Sequence, residues 1–265
     1  MPSRSLPATV GESPIGSEPI VSISVDDVSV IFPIFDAGGR SLKSRVVHAT
    51  TGGRIGVSSS RTPEVVALEG VSLRFNHGDR VGLIGHNGAG KTTLLRVMGG
   101  IYEPCRGSVR VEGRVAPLFD IAHGIDPEST GYENIRLRGL LLGMTPDEID
   151  RRFDEIAEFT GLGDFLRMPL RTYSVGMNAR LAFAVSTAIQ PDILLLDEGI
   201  VAGDTVFMEK ADKRLAALVT RTGLLVLASH SETMLRKMCT KGIVMNRGRV
   251  AYEGTLEGAL EFYKG

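Results

Sequence analysis

The sequence predicts an α/β fold with a mainly parallel sheet, and three stretches carry this prediction. Residues 80–98 have the order of a short apolar strand, a glycine-rich loop and a segment of helical periodicity. Residues 190–199 (QPDILLLDEG) and 222–230 (TGLLVLASH) are apolar runs that end in polar residues. Apolar runs of this kind are typical of strands buried on both faces of a parallel sheet.

The first part of the chain predicts an additional antiparallel β subdomain. Residues 1–19 are rich in Ser, Pro and Gly and indicate a loose tail, so the main domain is expected over 20–265. Residues 20–32 alternate partly and suit an antiparallel strand. Strand patterns follow at 65–75 and at 108–119, the latter with a turn-prone Glu112-Gly113 inside it.

A helical insert is predicted from about residue 120 to residue 172. Thr145, Pro146 and Glu148 form a capping box with proline at the first helical position. Gly161 is expected to end that helix. The apolar residues of the helix share one face, which favours a buried stripe over a docking surface: Ile149, Phe153, Ile156 and Ala157.

The end of the chain predicts a hairpin and a short helix. Residues 242–254 (GIVMNRGRVAYEG) have a turn signal at Asn246-Arg247-Gly248 between two strand patterns. In the last eleven residues, Leu256, Leu260 and one of the aromatic pair 262–263 are expected to point inward.

Composition restricts the classes of function. The formal net charge of the 265 residues is -1, which offers no bulk attraction to nucleic acid. The two cysteines, Cys105 and Cys239, have no metal-ligand spacing and suit a reducing cytoplasm. No apolar run approaches the ~20 residues that a membrane helix needs. Any membrane contact is therefore expected through a partner.

Residues 37–62 carry five basic residues and no acid, and two interpretations of this segment remain open. It is either a solvated surface loop or a basic flap that touches lipid headgroups or a membrane subunit. The basic residues are Arg40, Lys43, Arg45, Arg54 and Arg61.

The pattern GxxxxGK[ST] at 85–92 predicts a phosphate-binding loop, because it lies between a strand and a helix. Its loop residues would wrap phosphate oxygens with their backbone N–H groups: Gly85, His86, Asn87, Gly88, Ala89 and Gly90. We expect Lys91 to reach the β- and γ-phosphates, Thr92 to place its hydroxyl on Mg²⁺, and Thr93 to contact the α-phosphate side.

Three further candidate site residues lie at the ends of predicted apolar strands. Phosphate-loop folds have their catalytic and binding residues at the carboxyl ends of parallel strands. Asp197 suits a carboxylate that holds Mg²⁺ through water, and Glu198 suits the base that polarises the attacking water. His230 ends the last such strand, where it would sense the γ-phosphate.

Residues 173–177 (YSVGM) precede a helical pattern and keep Ser174 and Gly176, which would present the positive end of that helix to phosphate. With this stretch, five elements stand in the order and spacing of an ATP-binding cassette ATPase, which the chain resembles. The matching elements are 85–92 (Walker A), Ser174 and Gly176 (signature), Asp197 and Glu198 (Walker B), Asp204 (D-loop) and His230 (H-loop).

The resemblance is closest to the Wzt-like nucleotide-binding subunits of polysaccharide exporters. Residues 124–165 are similar to that family's helical insert, and YSVGM looks like its YSSGM-type signature. Val175 departs from the small residue usual in the signature. The resemblance implies a head-to-tail homodimer, in which Ser174 of one subunit closes over ATP held by Lys91 of the other.

Two further site residues are implied by the same resemblance. No glutamine occurs in 116–125, and Asp120 stands where the family often has Glu, so it is a candidate contact for metal or water. Phe32 stands where such proteins carry the aromatic platform for adenine, with Phe35 as second choice. Phe32 as a plain core residue remains open.

We therefore expect an ATPase that uses ATP and Mg²⁺ to power export of a lipid-linked polysaccharide through a separate membrane permease, in two copies. It would lie at the cytoplasmic face of the plasma membrane and bind no nucleic acid. The alternatives are a soluble cassette ATPase acting on ribosomes or nucleic acid, a regulatory nucleotide-binding module, and a subunit that exports another substrate.

Overall fold

The computed structural model describes residues 21–33, 55–57, 63–119, 124–197 and 205–265. Its strands are β1 (Ser22–Pro33), β2 (Ile55–Val57), β3 (Pro63–Asn76), β4 (Arg80–Ile84), β5 (Arg106–Glu112), β6 (Val115–Leu118), β7 (Ile193–Leu196), β8 (Leu224–Ala228), β9 (Lys241–Asn246) and β10 (Arg249–Thr255). Its α-helices are α1 (Lys91–Met98), α2 (Gly131–Leu141), α3 (Pro146–Thr160), α4 (Val175–Ser186), α5 (Thr205–Arg221), α6 (Glu232–Met238) and α7 (Leu256–Lys264). Two 3₁₀ helices, Gly163–Arg167 and Leu170–Thr172, lie between α3 and α4.

The described strands form two sheets, as the α/β prediction requires. One has the order β10-β9-β4-β8-β7-β6 and is parallel except for β10, which pairs antiparallel with β9. The other has the order β2-β3-β1-β5 and is antiparallel throughout. The parallel strands β4, β7 and β8 are almost wholly buried, because layers of the fold cover both faces of the sheet.

The stretch 108–119 is not one strand with a turn but two strands in different sheets. β5 pairs with β1 in the antiparallel sheet, whereas β6 pairs with β7 at the edge of the parallel sheet. The chain crosses between them at Gly113, whose φ is 116°. Beyond it, the Arg114 amide donates to the carboxylate of Asp192 at 2.7 Å.

Three apolar clusters hold these layers together. The first fills the space between the two sheets and includes the buried residues of α1. The second covers the other face of the parallel sheet with residues of α5, α6 and α7. The third lies within the helical insert, where α2, α3 and α4 meet.

The helical insert has the local structure that its sequence predicts. Thr145 and Glu148 form the predicted capping box at the start of α3, and Gly161 ends the helix with φ 64°. A second box, Thr130 with Glu133, caps α2. The predicted stripe of α3 packs inward: Ile149 and Ile156 are buried, and Phe153 and Ala157 are partly buried.

We expect Thr145→Ala to lower the free energy of unfolding by about 0.5–2 kcal/mol, the usual cost of losing an N-cap side chain. The Thr145 hydroxyl accepts from the Glu148 amide at 3.2 Å, and alanine leaves that amide without its capping partner. Urea denaturation measures the change. Thr220→Ala, an exposed threonine inside α5, is the matched control, and equal losses in both variants would contradict the role of the cap.

The C-terminal hairpin forms at the predicted turn, but one side-chain prediction for the terminal helix is wrong. Leu256 and Leu260 are buried as expected, whereas Phe262 and Tyr263 are 51% and 44% exposed. The Phe262 ring stacks instead on Tyr252 of the edge strand β10, with the ring centroids 5.3 Å apart.

Candidate functional site

The phosphate loop connects β4 to α1, so the strand, loop and helix predicted at 80–98 all form. The loop requires glycine at particular positions. A Cβ atom at Gly85 would lie 2.4 Å from the Met245 carbonyl oxygen, and one at Gly90 would lie 2.9 Å from that of Ala67. No described side chain caps the first turn of α1. The positive end of the α1 dipole at this loop favours an anion.

Contacts from the C-terminal hairpin fix the shape of this loop. The Gly248 amide donates to the Ala89 carbonyl at 2.8 Å, and the Gly248 carbonyl accepts from the Glu69 amide at 2.9 Å. His86 Nε2 lies 3.3 Å from Asn246 Oδ1. The sequence predicted this hairpin, but its contact with the phosphate loop appears only in the tertiary structure.

Lys91 and His230 meet at the mouth of the loop, although they are 139 residues apart. The Lys91 side chain is buried, and its Nζ donates to the carbonyl oxygens of Gly85 and, at 3.3 Å, of His86. His230 Nε2 lies 3.3 Å from Lys91 Nζ and 2.9 Å from Asn87 Oδ1. The structure thus brings together the buried Lys91 ammonium group, the His230 ring and the side-chain amide of Asn87.

Thr92 and Asp197 form a second contact at the carboxyl ends of the parallel strands. The Thr92 hydroxyl donates to Asp197 Oδ2 at 2.6 Å. Hydroxyl and carboxylate oxygens are the hard ligands that Mg²⁺ prefers, so the pair fits this ion. No group of three or more His, Cys, Asp or Glu side chains in the described residues could hold a metal. Phosphate oxygens of a nucleotide are the usual further ligands of Mg²⁺ in such sites.

Four of the candidate residues for the nucleotide site lie outside the described residues: Phe35, Asp120, Glu198 and Asp204. Their roles stay predictions. Glu198 directly follows Asp197 in the sequence.

Comparison with known proteins decides the family. The ABC transporter family model matches residues 68–201. The O-antigen export system ATP-binding protein RfbE of Yersinia enterocolitica is 44% identical over 90% of this chain and 99% of its own length. The corresponding RfbB protein of Klebsiella pneumoniae is 34% identical over 93% of this chain and 98% of its own.

This chain belongs to the ABC transporter family. It is an ATP-binding cassette ATPase, as the resemblance of its five motif elements predicted. The cassette fold is also that of a solved ATP-binding subunit of an ABC transporter, which superposes with a TM-score of 0.65 at 22% identity. That match covers 91% of this chain and 93% of the other.

In the predicted signature, residues 173–177, Ser174 is the N-cap of α4. Its hydroxyl accepts from the Met177 amide at 3.2 Å, within its own helix. Val175 is 84% exposed, so its isopropyl group projects from the surface at this helix end. A Cβ atom at Gly176 would meet only Ser174 Oγ, at 3.9 Å.

Tyr173 anchors the signature to the rest of the helical insert. Its ring is buried in the third apolar cluster, and its hydroxyl donates to the Phe165 carbonyl at 2.7 Å. Burial raises the pKa of this phenol, so it stays a neutral donor at physiological pH. The residue therefore has a packing role that fixes where α4 begins.

Phe32 lies near the end of β1 with 37% of its surface exposed. Its ring contacts Tyr102 edge-to-face, with centroids 5.3 Å apart. Tyr102 was not a candidate from the sequence, because a tyrosine in a loop after a helix has no pattern that marks it.

In the described residues of the cassette, no helix is long and apolar enough to cross a membrane.

Proposed function

We propose that this cassette hydrolyses ATP to power export of a lipid-linked polysaccharide through a separate membrane permease. The observation that carries the proposal is that four side chains lie together at the carboxyl ends of the parallel strands: Lys91, His230, Thr92 and Asp197. The cargo class is supported by relatives named as O-antigen export ATP-binding proteins, which match nearly the full length of the chain.

In this proposal, each of these contacts at the carboxyl ends of the strands has a role in ATP hydrolysis. Lys91 exchanges a carbonyl partner for the β- and γ-phosphates, which are stronger acceptors for its charge. The Thr92 hydroxyl and the Asp197 carboxylate would hold Mg²⁺, which when bound would neutralise developing charge on the phosphates. Glu198 orients and deprotonates the attacking water. His230 contacts the γ-phosphate and so distinguishes ATP from ADP.

The remaining predicted residues have roles in the complete binding site. The loop N–H groups of 85–90 and Thr93 bind the phosphate chain, and Phe32 stacks on adenine. Asp120 contacts the metal or its water. Ser174 and Gly176 act in trans, as the resemblance to ATP-binding cassette ATPases implies, so that Ser174 of one subunit closes over ATP held by Lys91 of the other. Two ATP sites then form between two head-to-tail subunits.

The helical insert offers the surface for a permease. Leu137, Leu140 and Leu141 lie on one side of α2 and are 39%, 51% and 64% exposed. Gly124 adjoins them, since a Cβ atom there would lie 2.8 Å from the Leu141 side chain. We propose that the cassette lies peripherally at the cytoplasmic face of the plasma membrane, bound to two copies of the permease. The basic segment 37–62 lies outside the described residues apart from β2 and remains a second candidate contact.

We expect Leu141→Asp to weaken capture of the permease from detergent-solubilised membranes about 10-fold or more, because burying a leucine contributes about 1.5–3 kcal/mol. ATP hydrolysis by the isolated chain is expected to stay unchanged. Phe262→Asp, which alters an apolar residue of 51% exposure on the terminal helix, is the matched control. Equal losses in both variants would contradict the docking surface.

The same capture experiment tests the proposed function. Recovery of a multi-span membrane protein with the wild-type chain supports transport. Recovery of ribosomes or nucleic acid instead would support the alternative of an ATPase acting on those particles. Loss of polysaccharide export in cells that lack this chain, with export of other substrates intact, would support the cargo class.

A further inference from the structure

We propose that Tyr102 is a positioning residue for the nucleotide base, because it sets the orientation of the Phe32 ring on which adenine stacks. The inference rests on the proposed role of Phe32 and deepens it. It predicts that Tyr102 contributes to affinity for a nucleoside triphosphate but not to affinity for an inorganic polyphosphate.

The first step is the contact between the two rings. They lie 71° apart in plane, with centroids separated by 5.3 Å, which is a favourable edge-to-face geometry. Tyr102 is half-buried and packs against the apolar cluster between the two sheets, whereas Phe32 is more exposed. The half-buried Tyr102 ring therefore restrains the more exposed Phe32 ring and leaves it accessible to a base.

The second step is the attachment of Tyr102 to α1. Arg96 Nη1 donates to the Tyr102 hydroxyl at 3.1 Å, and the Arg96 guanidinium carbon lies 5.5 Å from the Tyr102 ring centroid. The Tyr102 amide also donates to the Arg96 carbonyl at 3.2 Å. Three contacts from one arginine thus hold both the backbone and the ring of Tyr102.

The helix α1 connects the platform for the base to the phosphate site. Arg96 follows Thr93 by three residues, so the two side chains are neighbours on one face of α1. Thr93 is proposed to contact the α-phosphate side of the nucleotide. One short helix therefore binds the phosphates at its N-terminus and, through Arg96 and Tyr102, orients the platform for the base. Removing the Tyr102 ring releases Phe32 without altering Lys91 or Thr92.

The test compares Mg-ATP with magnesium tripolyphosphate, a ligand that has phosphates but no base, in equilibrium binding. Tyr102→Leu is expected to weaken ATP binding and raise KM about 2- to 12-fold, the range for an aromatic pair, while kcat at saturating ATP is unchanged. Tripolyphosphate affinity is expected to stay the same. Tyr102→Phe keeps the ring and is expected to recover most of the ATP affinity. Tyr263→Leu, an exposed tyrosine on α7, is the matched control.

A double-mutant cycle with Phe32→Leu tests whether Tyr102 acts through Phe32. If it does, Tyr102→Leu has little further effect on ATP affinity in the Phe32→Leu background. Equal weakening of ATP and tripolyphosphate would make Tyr102 a structural support of α1 and overturn the proposal, as would additive effects in the cycle. A wild-type chain that binds tripolyphosphate but shows no preference for ATP would overturn the role of Phe32 as well. A wild-type chain that binds neither ligand would overturn the proposed function itself.

Discussion

Replacing Glu198 with glutamine is expected to lower steady-state ATP hydrolysis by about 10²- to 10⁴-fold, the usual contribution of a positioned general base. Glutamine has nearly the same shape as glutamate but cannot accept the proton of the attacking water. The contact of Lys91 with His230 and that of Thr92 with Asp197 do not involve the substituted residue, and we expect both to persist. ATP and its metal therefore still bind, and the subunits stay closed around uncleaved nucleotide.

Two measurements check this expectation. Phosphate release gives the rate, and size-exclusion chromatography with Mg-ATP gives the dimer fraction, which is expected to exceed that of the wild type. Glu158→Gln, an exposed carboxylate on α3, is the control for loss of one negative charge. A hydrolysis rate for Glu198→Gln within a few-fold of wild type would show that another group activates the water.

Replacing Lys91 with alanine is expected to weaken ATP binding and abolish hydrolysis with it. The lysine side chain is buried among loop carbonyls, where it would be the main counter-charge to the β- and γ-phosphates. Removing one partner of a buried, hydrogen-bonded charge pair costs about 2–5 kcal/mol, equivalent to about 30- to 5,000-fold in affinity.

Equilibrium dialysis with labelled Mg-ATP measures this loss, and circular dichroism checks that the variant is folded. Lys210→Ala, an exposed lysine on α5, is the matched control. These two variants separate binding from chemistry: Glu198→Gln is expected to bind ATP without cleaving it, and Lys91→Ala is expected to do neither. Normal ATP affinity in Lys91→Ala would contradict the assignment of the phosphate loop.

Local structure was predictable from the sequence wherever neighbouring residues decide it. β4 and α1 form at the predicted residues, 80–84 and 91–98, because an apolar run and a helical period flank glycines that the loop needs. The start and end of α3 follow from a threonine cap and a left-handed glycine. The C-terminal hairpin follows from Arg247 and Gly248, both of which adopt the positive φ of a tight turn.

The resemblance predicted which motifs share the site, but not which of their side chains are in contact. Thr92 and Asp197 are 105 residues apart, and they meet because the parallel strands β4 and β7 end on the same side of the sheet with only β8 between them. A local pattern does not specify strand order. The resemblance supplied it for known motif positions, but it provided no signal for Tyr102, whose role depends on a contact with a strand far away in the chain.

By itself, the sequence determined the α/β class, the phosphate loop and the caps of the helical insert, because these depend on periodicity and on backbone angles of single residues. Only the tertiary structure decided that 108–119 divides between two sheets at Gly113, and that Phe262 and Tyr263 stay outside the core. It also decided that Lys91 meets His230 and that Phe32 meets Tyr102. The physical reason is that strand pairing and side-chain packing depend on the whole set of competing long-range contacts, which no short stretch of residues contains.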